Sequence, residues 1–393
     1  MDFALQKTLE LILIIALGIL LQKKVAKQDL SGLKTLILCV ALPATIFVAL
    51  LKIELKTSLL IFPLLALVFN FLMALASKYL LGASLPKNQG SKKRTLMMLL
   101  PSLAPGLSCF PFIVVYLGDE YLALAALADV GNKIFVLILL YMLAINWYHA
   151  RAIKDIIVTT SGKIKSLLLS MLNEPINLVI ISALILLGFG LTLSSLPAFL
   201  GNTITSMSVI MTPLVLLFIG MAVRIKSREF GLIVSLLARR SGITFILSAL
   251  FIFLFPTIGS SMVLLLVVFP QSACSFWPFA HMSAIQSMEE NDGQKKPTFD
   301  IDFGINILAC SLPLSTVLII GIFSFSEFFI DPIAILSIGA AIMVLSYIPT
   351  FVKAIRPSQN TTLESNTERP PLKLARTEED TESLEHRTEV KAS

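Results

Sequence analysis

Leu100–Phe112 reads LPSLAPGLSCFPF and lies inside an apolar stretch otherwise long enough to cross a bilayer. Pro101, Pro105 and Pro111 lack backbone donors and clash with the preceding turn, so a continuous helix here would strand carbonyl groups in hydrocarbon. Broken backbone at that depth is tolerated only where it faces protein or a water-filled cavity. Phe269–Phe279, FPQSACSFWPF, repeats the pattern in the other half of the chain. Phe110-Pro111-Phe112 answers Trp277-Pro278-Phe279, Ser108 and Ser275 precede them, and Pro101 or Pro105 answers Pro270 upstream. Two interrupted apolar segments at corresponding places in two halves point to the substrate site of a membrane transporter.

Around these stretches the 393 residues are 56% hydrophobic and 14% charged, with a mean hydropathy of +0.87. That is more apolar surface than a soluble core could hide, and the chain reads as an all-α polytopic membrane protein. A requirement of roughly 20 apolar residues per span predicts helices near residues 5–21, 33–51, 58–81, 96–117, 121–147, 176–193, 200–223, 230–255, 262–283 and 303–325, with a further span at 333–351. The fourth and ninth contain the breaks. The start, MDFALQKTLELILIIALGIL, lacks a basic n-region and a small-residue cleavage site and reads as a retained first helix.

Orientation follows from charge. Lys23, Lys24, Lys27 and Lys34 follow the first span, Lys87, Lys92, Lys93 and Arg94 the third, Arg151, Lys154, Lys163 and Lys165 the fifth, and Arg224, Lys226 and Arg228 the seventh. The alternate connections are neutral or acidic, as at Asp119 and Glu120. The positive-inside rule then expects a multi-pass protein of the cell membrane with its N-terminus outside and its C-terminal tail cytoplasmic. The net charge of +6 reports orientation and gives no reason to expect nucleic acid.

Five spans per half set two similar halves upside down to each other. Weak internal likenesses share one order: Leu42-Pro43 with Thr212-Pro213, the two breaks, and Gly131-Asn132 with Gly304-Ile305-Asn306. The expected organisation is therefore two inverted five-helix repeats, 1–148 and 176–327, whose fourth and ninth helices break and cross. A cytoplasmic connection at 149–175 carries an interfacial amphipathic helix, an extra transmembrane helix occupies 328–356, and a polar, disordered tail covers 357–393.

A charged residue at a helix centre costs about 2.5–3.5 kcal/mol, so each ionisable group within a span needs a reason. Asp129 and Lys133 lie four apart on the fifth segment, with Asn132 between them. Two readings stay open: a structural ion pair, or a Lys133 that receives an anionic substrate while Asp129 exchanges a proton. Asn132 is expected to flank the broken fourth helix. The half-helix N-termini present amides and a positive dipole end, so a carboxylate is expected on those amides with Ser108, Ser275 and Asn132, beside Cys109 and Cys274. Pro105, Gly106, Pro111, Pro270 and Pro278 are expected to shape the crossing. Arg239 and Arg240 are read as snorkelling to the headgroups, and His281 as a satisfied polar contact at a helix end. Phe110, Phe112, Trp277 and Phe279 are candidates for an apolar lining. The four cysteines (Cys39, Cys109, Cys274, Cys310) show no CxxC spacing, and no paired histidines accompany them, so neither a disulfide nor a metal site is expected.

Leu33–Phe47 (LKTLILCVALPATIF), Gly106–Asn132 (GLSCFPFIVVYLGDEYLALAALADVGN), Asn173-Glu174-Pro175 with Leu196-Pro197-Ala198-Phe199, and Thr212–Val223 (TPLVLLFIGMAV) resemble the auxin efflux carrier family, which includes plant auxin exporters and bacterial malate or malonate permeases. The resemblance covers roughly residues 5–325 and implies two inverted five-helix repeats with crossing fourth and ninth helices. Where the family has an asparagine and a threonine before the glycine equivalent to Gly106, this chain has Ala104 and Pro105.

These readings converge on a permease that moves a small organic anion, such as a mono- or dicarboxylate, by alternating access. Its expected partners are that anion, the lipid bilayer and, through Asp129, protons; a homodimer is left open, and no cofactor is implied. Alternatives are a sodium-coupled symporter of the bile-acid type and a membrane sensor or scaffold. No nucleophile, base and orienting group occur together, so an enzyme is not expected.

Overall fold

The computed structural model describes residues 3–53, 57–82, 85–86, 88–151, 175–222, 229–291 and 297–355, and residues 1–348 form one compact unit. The expected amphipathic helix within 152–174 and the tail from 357 lie outside the described residues, among which there is no strand.

Helices α1 (Phe3–Leu21), α2 (Gln28–Leu50) and α3 (Ile61–Leu81) lead to the first broken segment, α4 (Gly90–Leu99) and α5 (Phe110–Tyr116), separated by the single turn Pro105–Ser108. Then come α6 (Asp119–His149), α7 (Pro175–Gly188), α8 (Ala198–Ala222) and α9 (Phe230–Leu254). The second broken segment is α10 (Ser260–Val268) and α11 (Phe276–Asn291), with a 3-10 turn at Phe269–Gln271, and α12 (Ile301–Ser324) and α13 (Pro332–Ile355) follow. Seven of these helices, counting α10 with α11 as one, are long and apolar enough to cross a bilayer, and α1, α7 and α13 contain shorter apolar stretches. With the broken α4–α5 they account for each apolar segment read from the sequence. The chain is an all-helical, polytopic membrane protein.

Its surface inverts that of a soluble protein. Leu13, Leu20, Leu64, Val317 and Val344 are each more than half exposed, whereas Asn70, Asn132, Arg239, Arg240 and Gln271 are buried. Apolar side chains outward and polar ones inward is the pattern a hydrocarbon solvent demands.

Helix α8 packs on α1 and on α2, and α2 on α7; α3 packs on α6, and α9 on α12. Small residues permit the closest crossings. A Cβ on Gly18 of α1 would stand 2.4 Å from Leu217 O of α8, and one on Gly131 of α6 would stand 1.9 Å from Pro63 O of α3. In α2, Pro43 withholds a donor from the preceding turn. The helix absorbs this with the π-turn Ile37–Ala41, in which Leu42 N bonds Ile37 O. Two apolar clusters fill the bundle, and both breaks lie where the clusters meet: Leu100 and Cys274 belong to one, Leu103 and Cys109 to the other.

Candidate functional site

Prolines free backbone groups at both breaks, and each freed group needs a partner because no water reaches hydrocarbon. Much of that need is met by joining the breaks. Ala104 N donates to Ala273 O at 2.8 Å, Ser275 N to Ser102 Oγ at 3.0 Å, and Ala273 N to Ser108 Oγ at 2.9 Å. Cys274 N donates to Ser311 Oγ of α12 at 3.3 Å. The amides of residues 273–275 are thus engaged within the protein. Trp277 N, further along, is capped by Ser275 Oγ at 3.3 Å.

Carbonyls freed at the breaks turn to Arg240. Its Nε donates to Leu100 O at 2.8 Å, and its Nη2 to Ser102 O at 3.3 Å and Ser272 O at 2.9 Å. The side chain is 3% exposed. Snorkelling is therefore overturned for Arg240, because a planar fork of N–H donors serves several dehydrated carbonyls better than the headgroup layer does. Arg239 does not snorkel either. It is buried, donates to Ser346 O at 3.1 Å and lies 3.7 Å from the centre of the Tyr347 ring.

Asn132 secures the first break. Its Nδ2 donates to Leu103 O at 2.9 Å and to Asp129 Oδ1 at 2.8 Å, while its Oδ1 accepts from Leu103 N at 3.2 Å and from Asn70 Nδ2 at 3.0 Å. The amide thus stands in for a neighbouring strand. The next residue, Lys133, lies one turn beyond Asp129; its Nζ is 3.5 Å from Asp129 Oδ2 and donates to Asn177 Oδ1 of α7 at 3.1 Å. Asp129, Asn132 and Lys133 are all buried.

Beside this cluster opens a cavity of about 330 Å³, within the range of roughly 300–1,000 Å³ common for small-molecule sites. The first break lines it from Leu103 to Leu107, including Pro105 and Gly106, and the second from Ala273 to Trp277, including Cys274 and Ser275. Asp129, Asn132 and Lys133 line it from α6, and Lys34, Ser311 and Asn132's neighbour Val136 complete its polar and apolar edges. Lys34 sits 4.9 Å from the centre of the Phe276 ring.

Ser108 and Cys109, expected among the ligands, are buried away from this cavity. Ser108 Oγ donates to Ala104 O at 2.8 Å while accepting from Ala273 N, and Cys109 lies in an apolar cluster. Pro111 and Pro278 are buried within α5 and α11, and Pro270 lies in the turn before the second break, so these three shape the backbone without lining the cavity. Phe110 and Phe112 are core residues, whereas Trp277 does line the cavity. His281 contacts Val136 O at 3.1 Å, as a satisfied polar contact.

Sequence reasoning missed Lys34, Asn177 and Ser311. Lys34 resembled one more basic residue of a cytoplasmic connection, and a serine or asparagine in an apolar segment carries no local signal of what it faces.

No family model matches the chain. The chain is 26% identical over 209 residues to an uncharacterized transporter, MJ1031, of Methanocaldococcus jannaschii. The match covers 52% of this chain and 64% of that relative.

Proposed function

We propose that this protein is a secondary transporter of a small organic anion, a mono- or dicarboxylate, working by alternating access. The observation that carries the reading is the cavity between the breaks. Asp129 and Lys133 offset each other there, which leaves the Lys34 charge in excess within largely apolar walls. Such a site favours an anion with an organic body. The similarity to a protein named as a transporter supports the class.

The resemblance to auxin efflux carriers supports the finer reading of two inverted repeats, 1–148 and 176–327, with the broken segments as their fourth and ninth helices. The basic connections support a protein of the cell membrane with the N-terminus outside and the tail inside. Lys34 then marks the cytoplasmic mouth of the cavity. Helices α1, α2, α7 and α8 form one packed group, and the bond from Lys133 to Asn177 links α6 to it. An entering carboxylate competes with Asp129 and Asn177 for Lys133, which loosens that link and lets the broken helices move. Asp129, relieved of its cation, takes up a proton.

The test is a thermal-shift screen of the purified chain against organic acids, followed by uptake into proteoliposomes. A ligand at 100 times its dissociation constant stabilises by about 2.7 kcal/mol, and the same acid is expected to accumulate in the vesicles. Asp129→Asn is expected to flatten the pH dependence of uptake. If no acid in a broad panel shifts the melting temperature and none is taken up, the reading fails.

A further inference from the structure

Transporters with discontinuous helices hold their coupling cation on carbonyl oxygens of unwound backbone and on half-helix C-terminal ends. The corresponding oxygens here are Leu100 O at the C-terminal end of α4, Ser102 O within the first break, and Ser272 O just past the turn Phe269–Gln271. All three accept from one guanidinium, that of Arg240. Two of the carbonyls belong to one break and the third to the other, so the same cation binds both. Among the described residues no carboxylate forms an ion pair with Arg240; its ligands are backbone oxygens. A dehydrated cation surrounded by carbonyl dipoles is the coordination of an alkali ion, with a side chain in the ion's place.

We infer that Arg240 is the resident cation of the crossing: a positioning residue that neutralises the half-helix ends and keeps the two breaks in register, so that the protein binds its anion without recruiting sodium. The energetic logic is that of preorganisation. A bound ion must be stripped of water and captured in every cycle, whereas a guanidinium tethered to α9 is already in place. Its charge also adds to the positive potential of the cavity one or two residues away, at Leu103, Ala104 and Ala273, without contact with a ligand. This inference rests on the proposed function for the bound anion and for its uptake arm; the melting comparison is independent of it.

The experiment compares the full-length protein with Arg240→Lys, Arg240→Gln and Arg240→Ala, reconstituted in lipid. Melting temperature is measured in sodium, potassium and choline chloride at constant ionic strength, with and without millimolar methylguanidinium. Uptake of radiolabelled succinate is followed in the same buffers. The wild type is expected to melt at one temperature in all three salts. Arg240→Ala should melt several degrees lower and regain part of that loss on addition of methylguanidinium, which leaves the wild type unchanged. Arg240→Lys, which keeps the charge with a poorer fork, should melt above Arg240→Gln, which keeps N–H donors without the charge. Where succinate is taken up, the wild type should be indifferent to sodium, and Arg240→Ala should lose uptake at least in part and recover with methylguanidinium.

Three results would overturn the inference: a wild type stabilised or accelerated by sodium over choline, a glutamine variant equal to or better than the lysine variant, or an alanine variant unresponsive to methylguanidinium. Should no variant be recovered in folded form, the salt comparison on the wild type decides. Absence of succinate uptake from every preparation bears on the transport function and leaves the melting comparison intact as the test of Arg240.

Discussion

At the first break the backbone of Leu103 is held by the Asn132 amide, with Asp129 and Lys133 beside it. At the second, the corresponding task falls to hydroxyls of α12: Ser311 accepts from Cys274 N, and Ser315 donates to Gln271 O. Both breaks also share Arg240. The second break is an internal control. With Arg240 common to both breaks, neutral hydroxyls do the remaining work at the second, so repair alone gives no reason to bury an aspartate and a lysine at the first. A buried ion pair is at best weakly stabilising against apolar residues of the same volume, and the proposed anion site gives the Asp129–Lys133 pair a role that repair does not.

Four experiments can break or sharpen this contrast. Asn132→Ala should have the largest effect on stability, because it deprives Leu103 N, Leu103 O and Asp129 Oδ1 of partners together, at about 1–3 kcal/mol for each orphaned group. Chemical unfolding in detergent would measure it, and a loss no greater than that of Ser311→Ala would remove the distinction between the breaks.

Lys133→Ala and Asp129→Ala singly should each cost about 3–5 kcal/mol by leaving a buried charge uncompensated. The double variant should recover most of that stability. Uptake decides what the pair is for: if the double variant also transports normally, the pair is structural and the functional argument from the contrast is lost.

Ser311→Ala orphans one amide of the second break and should lower stability by about 1 kcal/mol, with anion binding kept. A binding defect as large as that of Lys133→Ala would show that the hydroxyl side is also part of the ligand shell. The smallest effect on stability is expected from Lys34→Gln, which removes a charge from the cavity wall without leaving an unpaired carboxylate. Anion binding should weaken severalfold and become less sensitive to ionic strength, since the lost term is a screened Coulomb attraction. Unchanged affinity at low salt would take Lys34 out of the site.

How the site could be read in advance differed from residue to residue. The place of Asn132 beside the first break was legible, because it lies on the segment that follows the proline-broken helix; that its amide holds the Leu103 backbone was not. Ser108 was misjudged: it sits in the break, but its hydroxyl is consumed by Ala104 O and Ala273 N. The arginines were misjudged for a different reason. Their depth along α9 was visible, but the acceptors that hold Arg240 are carbonyls, and every residue in the chain has one.

The sequence by itself determined the apolar segments, the two breaks and the all-helical class. Hydrocarbon admits only backbone that satisfies itself, and proline's missing donor is a covalent fact that no packing alters. Only the tertiary structure decided which groups answer the broken backbone. Arg240 reaches oxygens 140, 138 and 32 residues away, Asn132 reaches Leu103 across 29, and Lys133 reaches Asn177 across 44. Hydrogen bonds and dehydrated charges act over a few ångströms in space, and distance along the chain does not set that separation.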